Sequence, residues 1–117
     1  MGTASSHISG NIGLCMSAGG VTFGFDRILG DIRSGRAKFV LVSSDASERT
    51  LKQITDKCAF YKTEAIVSDM SSEDLASAIG KRFSCSSLAF TGRGPWKKVH
   101  DELIEKNNSS LTNRKDD

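Results

Sequence analysis

Residues 34–62, SGRAKFVLVSSDASERTLKQITDKCAFYK, constrain the fold more than any other part of this chain. They read as one strand, one turn and one helix, with a basic lead-in. Residues 38–43 form a short apolar run with β-branched content. Such a run suits a strand covered on both faces better than one with a wet face. Asp45 is placed to cap the helix that follows, with Glu48 three residues on to complete a capping box. Leu51, Ile54, Cys58 and Tyr61 then recur at helical spacing, while Thr50, Lys52, Gln53, Asp56 and Lys57 take the opposite side. A doubly covered strand that feeds a helix is half of a β-α-β unit, so the chain is expected to be α/β.

The same pattern recurs along the sequence. Residues 1–9 are small and polar and read as a flexible N-terminus. A first helix is expected over residues 10–18, stopped by Gly19 and Gly20. Val21, Thr22 and Phe23 suit a short edge strand. A second helix over 26–34 turns Ile28, Leu29 and Ile32 inward and ends at Gly35. Gly30 inside it costs about 1 kcal/mol relative to alanine, which suggests close approach of another group. Residues 65–67 and 87–90 read as further buried strands. Between them Ser71 caps a fourth helix, with Asp74 at the reciprocal position and Gly80 at its end. Pro95 opens a last helix with Trp96, Val99, Leu103 and Ile104 on its inner side. Residues 107–117 are polar and read as a disordered tail. Five helices alternating with four strands imply a three-layer α-β-α sandwich around a central mixed sheet of about four strands, within one domain over residues 10–106.

Composition narrows the function classes. A chain of 117 residues is long enough for one sizeable core. It contains no apolar run of membrane-spanning length and no charged leader before an apolar stretch, so a cytoplasmic protein without membrane contact is expected. Cys15, Cys58 and Cys85 are odd in number and widely separated, which points to buried reduced thiols rather than a disulfide framework. Two histidines near opposite ends and no close cysteine pair argue against a metal site, and no cofactor motif is present. The net charge of +2 decides little. Its placement says more. Arg27, Arg33, Arg36 and Lys38 crowd one segment against the single acid Asp31, and Lys81 and Arg82 make a second basic spot. Both read as solvated surface or as contacts for phosphate.

Several residues carry alternative readings. Asp26 can cap the second helix or accept hydrogen bonds from a nucleobase edge, and the roles coexist. Arg27 can clamp phosphate or lie in solvent. Phe25 and Phe83 can stack on unpaired bases or pack inward, with inward packing favoured for Phe83. The glycine pairs at 19–20 and 92–94 lack the lysine and hydroxyl ending of a nucleotide-binding loop and read as turns. Ser43, Ser44 and Asp45 lie at a strand end where α/β proteins bind ligands. No histidine is placed to act as a base for a serine nucleophile, so no catalytic residue is assigned.

Taken in order, the segments LCMSAG (14–19), FGFD (23–26), IRSGRAK (32–38), VSSDAS (42–47), TDKC (55–58) and LASAIG (75–80) resemble the L7Ae/L30e ribosomal protein family, most closely its bacterial YlxQ-type subgroup. The resemblance spans residues 10–106. It implies an L30e-like sandwich that binds RNA, typically at kink-turns, through the N-terminal end of the second helix and the loop after the fourth. The family's glycine matches Gly24, its asparagine falls on Asp26, its neighbouring glutamate on Arg27 and its lysine on Gly30. The second loop maps to residues 81–86, including Lys81, Arg82, Phe83 and Ser84, with Ser44 and Asp45 at the adjoining strand end. The reading is a small, monomeric, non-catalytic RNA-binding protein whose partner is structured RNA, ribosomal RNA included, together with ribosome or ribonucleoprotein proteins. The rival is a protein-interaction module of the same fold that has lost kink-turn binding. Asp26 and Gly30 favour the rival; the basic cluster with Lys81 and Arg82 favours RNA.

Overall fold

A computed structural model describes the backbone of residues 2–115 and the side chains of residues 8–106. The elements follow in the expected order: α1 (Gly2–Ser17), β1 (Val21–Thr22), α2 (Phe25–Ser34), β2 (Phe39–Val42), α3 (Glu48–Phe60), β3 (Glu64–Val67), α4 (Ser72–Ala78), β4 (Ser87–Phe90) and α5 (Trp96–Lys115). The four strands form one sheet in the order β1-β4-β2-β3. β2 runs parallel to β3 and antiparallel to β4, and β4 runs antiparallel to β1. The sheet is therefore mixed.

Strand periodicity divides the core. Phe39 and Leu41 of β2 join Leu88 and Phe90 of β4 on one face, where α1, α4 and α5 supply Ile8, Ile12, Leu75, Val99 and Leu103. Val40 and Val42 point the other way with Ala89, and α2 and α3 cover them with Ile28, Ile32, Ile54 and Cys58. Successive side chains of a strand face opposite sides, so a run of four apolar residues needs a helical layer on each side. Phe39 and Phe90 stack with centroids 4.6 Å apart. Cys58 lies in one core layer and Cys15 and Cys85 in the other, all three free and buried. Among the described residues no helix is long and apolar enough to cross a membrane.

Four local expectations are corrected. β3 is an edge strand rather than a buried one, with Val67 43% exposed. An apolar run reports hydrophobicity but not which strand occupies the margin. α3 is capped by Ser47, whose hydroxyl accepts from Thr50 N–H, and not by Asp45. α1 begins at Gly2, ahead of the boundary drawn at residue 10, and Ile8 is buried in the core. α5 continues to Lys115 through the segment read as a tail; once a helix is nucleated each further residue adds a backbone hydrogen bond. The capping box of α4 forms as read: Asp74 N–H donates to the Ser71 hydroxyl and Ser71 N–H to the Asp74 carboxylate. The two glycine turns pack together so tightly that a Cβ on Gly20 would lie 2.4 Å from the Arg93 carbonyl oxygen.

Candidate nucleic-acid interface

The N-terminal end of α2 is open. Its N-cap is Gly24, with φ 96° and ψ 125°, and no side chain caps the first turn. That backbone geometry is open to glycine and strained for other residues. The first-turn N–H groups of a helix have no partner within the helix and carry partial positive charge. Here they are left to an outside acceptor. Ile28 and Ile32 anchor the helix in the core, which turns exposed Asp26 and Arg27 outward. Phe25 is half-buried against the layer formed by α2 and α3.

The loop after α4 closes over this end. Gly80 ends the helix with a left-handed φ of 76°. Lys81 N–H donates to the Ala76 carbonyl, Cys85 N–H to that of Ser72, and Ser43 N–H to that of Ser86. Pinned at these points, the loop presents Phe83 to solvent at 53% exposure, which corrects the expectation of inward packing. A six-residue loop tied close to the strand ends leaves the ring no core to enter. Phe83 instead leans on Phe23, centroids 5.8 Å apart and planes at 42°. The Lys81 ammonium sits 5.2 Å from the centroid of the Phe23 ring, within cation–π range. Arg82 is exposed beside Phe83.

Gly24, Phe25, Phe83 and Ser84 share a hollow of about 510 Å³ with Arg49, Thr50 and Gln53 of α3. On its other side Gly24, Phe25, Asp26 and Arg27 line a second, about 560 Å³, with Phe23 and Phe83. Residues far apart in sequence thus converge at one end of the sheet. Cys85 walls the first hollow, and burial pushes its thiol pKa up while the Lys81 charge opposes the shift. Gly30 lies outside both hollows. A Cβ there would meet nothing within 4 Å, so no group of the protein itself approaches closely at Gly30.

Ser44 and Asp45 lie at the same end of the sheet but line neither hollow. Ser44 N–H donates to the Met70 carbonyl. The Asp45 carboxylate accepts from Ser72 N–H at 2.9 Å and from the Ser72 hydroxyl at 3.1 Å, and so ties the β2–α3 connection to the start of α4. Its pKa is held below the ordinary aspartate value by the neighbouring Ser43 hydroxyl and by these two Ser72 donors. Phe23, Arg49, Thr50 and Gln53 were not among the sequence candidates. The position of Arg49 in the first turn of α3, just past the C-terminal end of β2 where α/β sheets gather ligand contacts, is the signal that could have found it.

Comparison with known proteins agrees with this architecture. A sequence model of the Ribosomal protein L7Ae/L30e/S12e/Gadd45 family matches residues 6–100. The chain is 47% identical over 51 residues to RNA-binding protein YlxQ of Bacillus subtilis (strain 168), covering 44% of this chain and about half, 51%, of that protein. It is 36% identical over 95 residues to RNA-binding protein YlxQ of Enterococcus faecium, covering 80% of this chain and 87% of that one. A solved structure of a protein of unknown function from Bacillus halodurans C superposes with a TM-score of 0.76 at 25% identity, over 83% of this chain and 96% of that one. With a family match that runs from α1 into α5 and a relative aligned over most of both chains, this chain belongs to the L7Ae/L30e/S12e/Gadd45 ribosomal protein family.

Proposed function

We propose that this protein binds structured RNA of the kink-turn kind through the edge built from the α2 N-terminus and the loop over residues 80–86. The observation that carries the reading is the uncapped start of α2 at Gly24, sharing a hollow with exposed Phe83 and with Arg27. A helix N-terminus accepts phosphate through its free N–H groups and its dipole. Arg27, Arg49, Lys81 and Arg82 add charge for the RNA backbone. Phe83, braced by Phe23, offers a face for an unpaired base, and sharply bent RNA exposes such bases and their edges. Asp26 in the first turn of α2 accepts from a guanine N1 or N2 edge. Both YlxQ relatives carry the name RNA-binding protein, which supports the assignment. On this reading the protein works as a cytoplasmic monomer, without catalysis, alongside ribonucleoprotein partners. Ser44 and Asp45 shape the strand end, while Ser84 contributes to the hollow itself.

The exposed Asp26 carboxylate favours a second reading, a protein-interaction module of the same fold, because an anion at this position repels phosphate. Titration of wild type and Asp26→Asn against a labelled kink-turn RNA at two salt concentrations separates the two. RNA binding predicts measurable affinity that falls steeply with salt and tightens in Asp26→Asn, since an amide both donates and accepts and carries no charge. Negligible, salt-insensitive binding by both proteins overturns the RNA reading and leaves the interaction module.

A further inference from the structure

We propose that the RNA footprint extends past the α2 N-terminus to a second phosphate subsite, the cleft between Arg27 and Arg36 beside the free edge of β1. The proposal rests on the RNA reading above and deepens it. β1 lies at the sheet margin and pairs only with β4. Against it α2 forms a cleft of about 380 Å³, walled by Thr22, Phe23, Arg27, Gly30, Asp31 and Arg36. Phe23 and Arg27 also line the hollow at the α2 N-terminus, so the two cavities adjoin across these two side chains.

The cleft is built around a carboxylate that orients an arginine. The Asp31 side chain is 11% exposed, and the Arg36 Nε donates to its Oδ1 at 3.3 Å. The Thr22 hydroxyl donates to Oδ2, so both carboxylate oxygens are occupied within the protein. Arg36 itself stays 71% exposed. Tethered through Nε, it keeps its two terminal nitrogens for a ligand, a fork that matches phosphate geometry. Arg27 brings the second guanidinium, which leaves an excess of one positive charge over Asp31 among the lining residues. Gly30 stands one helical turn beyond Arg27 and a Cβ there would meet nothing within 4 Å, so the cleft is open where a longer side chain would fill it. An RNA strand held at the α2 N-terminus would run along this wall and place a backbone phosphate between the two arginines.

The test titrates the full chain and three variants against the same labelled kink-turn RNA over a salt series, with thermal melts to verify folding. Arg36→Ala removes the fork. Gly30→Glu places an anion in the open cleft without crowding a neighbour. Lys62→Asn removes a charge beside β3 at the opposite sheet edge, where asparagine tolerates the left-handed backbone. The subsite predicts weaker binding by Arg36→Ala and a salt slope shallower by about 0.7–0.9, the share of one phosphate. It predicts a larger loss for Gly30→Glu and wild-type behaviour for Lys62→Asn. If wild type binds and both cleft variants keep its affinity and slope, the subsite is refuted and the RNA reading stands. A loss of affinity in Arg36→Ala with an unchanged slope also refutes it, because the contact is then not to phosphate. Absence of binding by wild type overturns both.

Discussion

Two glycines six positions apart, Gly24 at the N-cap of α2 and Gly30 inside it, should respond to alanine with opposite signs. Gly24 holds φ 96° and ψ 125° at the N-cap, and a Cβ there would meet only the Arg27 Cδ, at 4.0 Å. The penalty of Gly24→Ala is therefore backbone strain rather than collision, about 1–3 kcal/mol. Alanine is also a poor N-cap, so the total is about 2 kcal/mol. For a domain of this size each kcal/mol moves the melting temperature by roughly 3–6 °C, so Gly24→Ala should melt about 6–12 °C lower. Gly30 sits in the helix interior with open space where its Cβ would be. Gly30→Ala removes only the entropic cost of glycine and should gain about 0.5–1 kcal/mol, or roughly 2–6 °C. Thermal unfolding followed by far-ultraviolet circular dichroism reads both changes. The Gly24 variant should also bind RNA more weakly at temperatures where it is fully folded, because relief of the strain re-aims the first-turn N–H groups. A Gly24→Ala protein that melts within about 2 °C of wild type, or a Gly30→Ala protein that melts lower than wild type, would refute the reasoning.

Phe83→Ala should separate binding from folding. The ring is 53% exposed, so stability should change by less than about 1 kcal/mol, while loss of one base-stacking contact should cost about 1–3 kcal/mol of RNA affinity, measured by fluorescence titration. Asp45→Asn should melt below wild type at neutral pH. Because the folded-state pKa of Asp45 lies below the ordinary value of 3.8, its contribution holds above that value and disappears as pH falls through the folded pKa, so melts in acid should bring the two proteins together. Cys58, its pKa pushed by burial from 9.0 to about 11, should resist alkylation at pH 8 in the folded protein. Its neutral thiol stabilises the fold below pH 9.0 and that contribution is lost as pH rises to about 11, so wild type should lose more stability over this window than Cys58→Ala.

Much of the architecture is legible from local pattern. The apolar run over β2 demands cover on both faces, and that demand forces helices onto both sides of the sheet. The Ser71 and Asp74 capping box forms as its spacing dictates, because the partners are three residues apart on one turn. The order of helices and strands is correct throughout for the same reason: periodicity and turn residues act on near neighbours.

What depends on distant neighbours had to come from the tertiary structure. The strand order puts β3 at a margin, which the apolar run over residues 65–67 does not by itself reveal. Asp45 and Ser47 are both competent helix caps. Ser72, reached across 27 positions, takes the carboxylate and leaves Ser47 to cap α3. Phe83 could by sequence stack on a base or pack inward, with inward packing favoured, and it stands in solvent because the tethers at residues 81 and 85 hold its loop at the strand end. The pairing of that loop with the start of α2 brings Gly24 and Phe83, far apart in sequence, around one hollow. Sequence determines which segments carry helix, strand and charge; only closure of the chain decides which of them meet, because hydrogen bonds and contacts across tens of residues leave no local pattern.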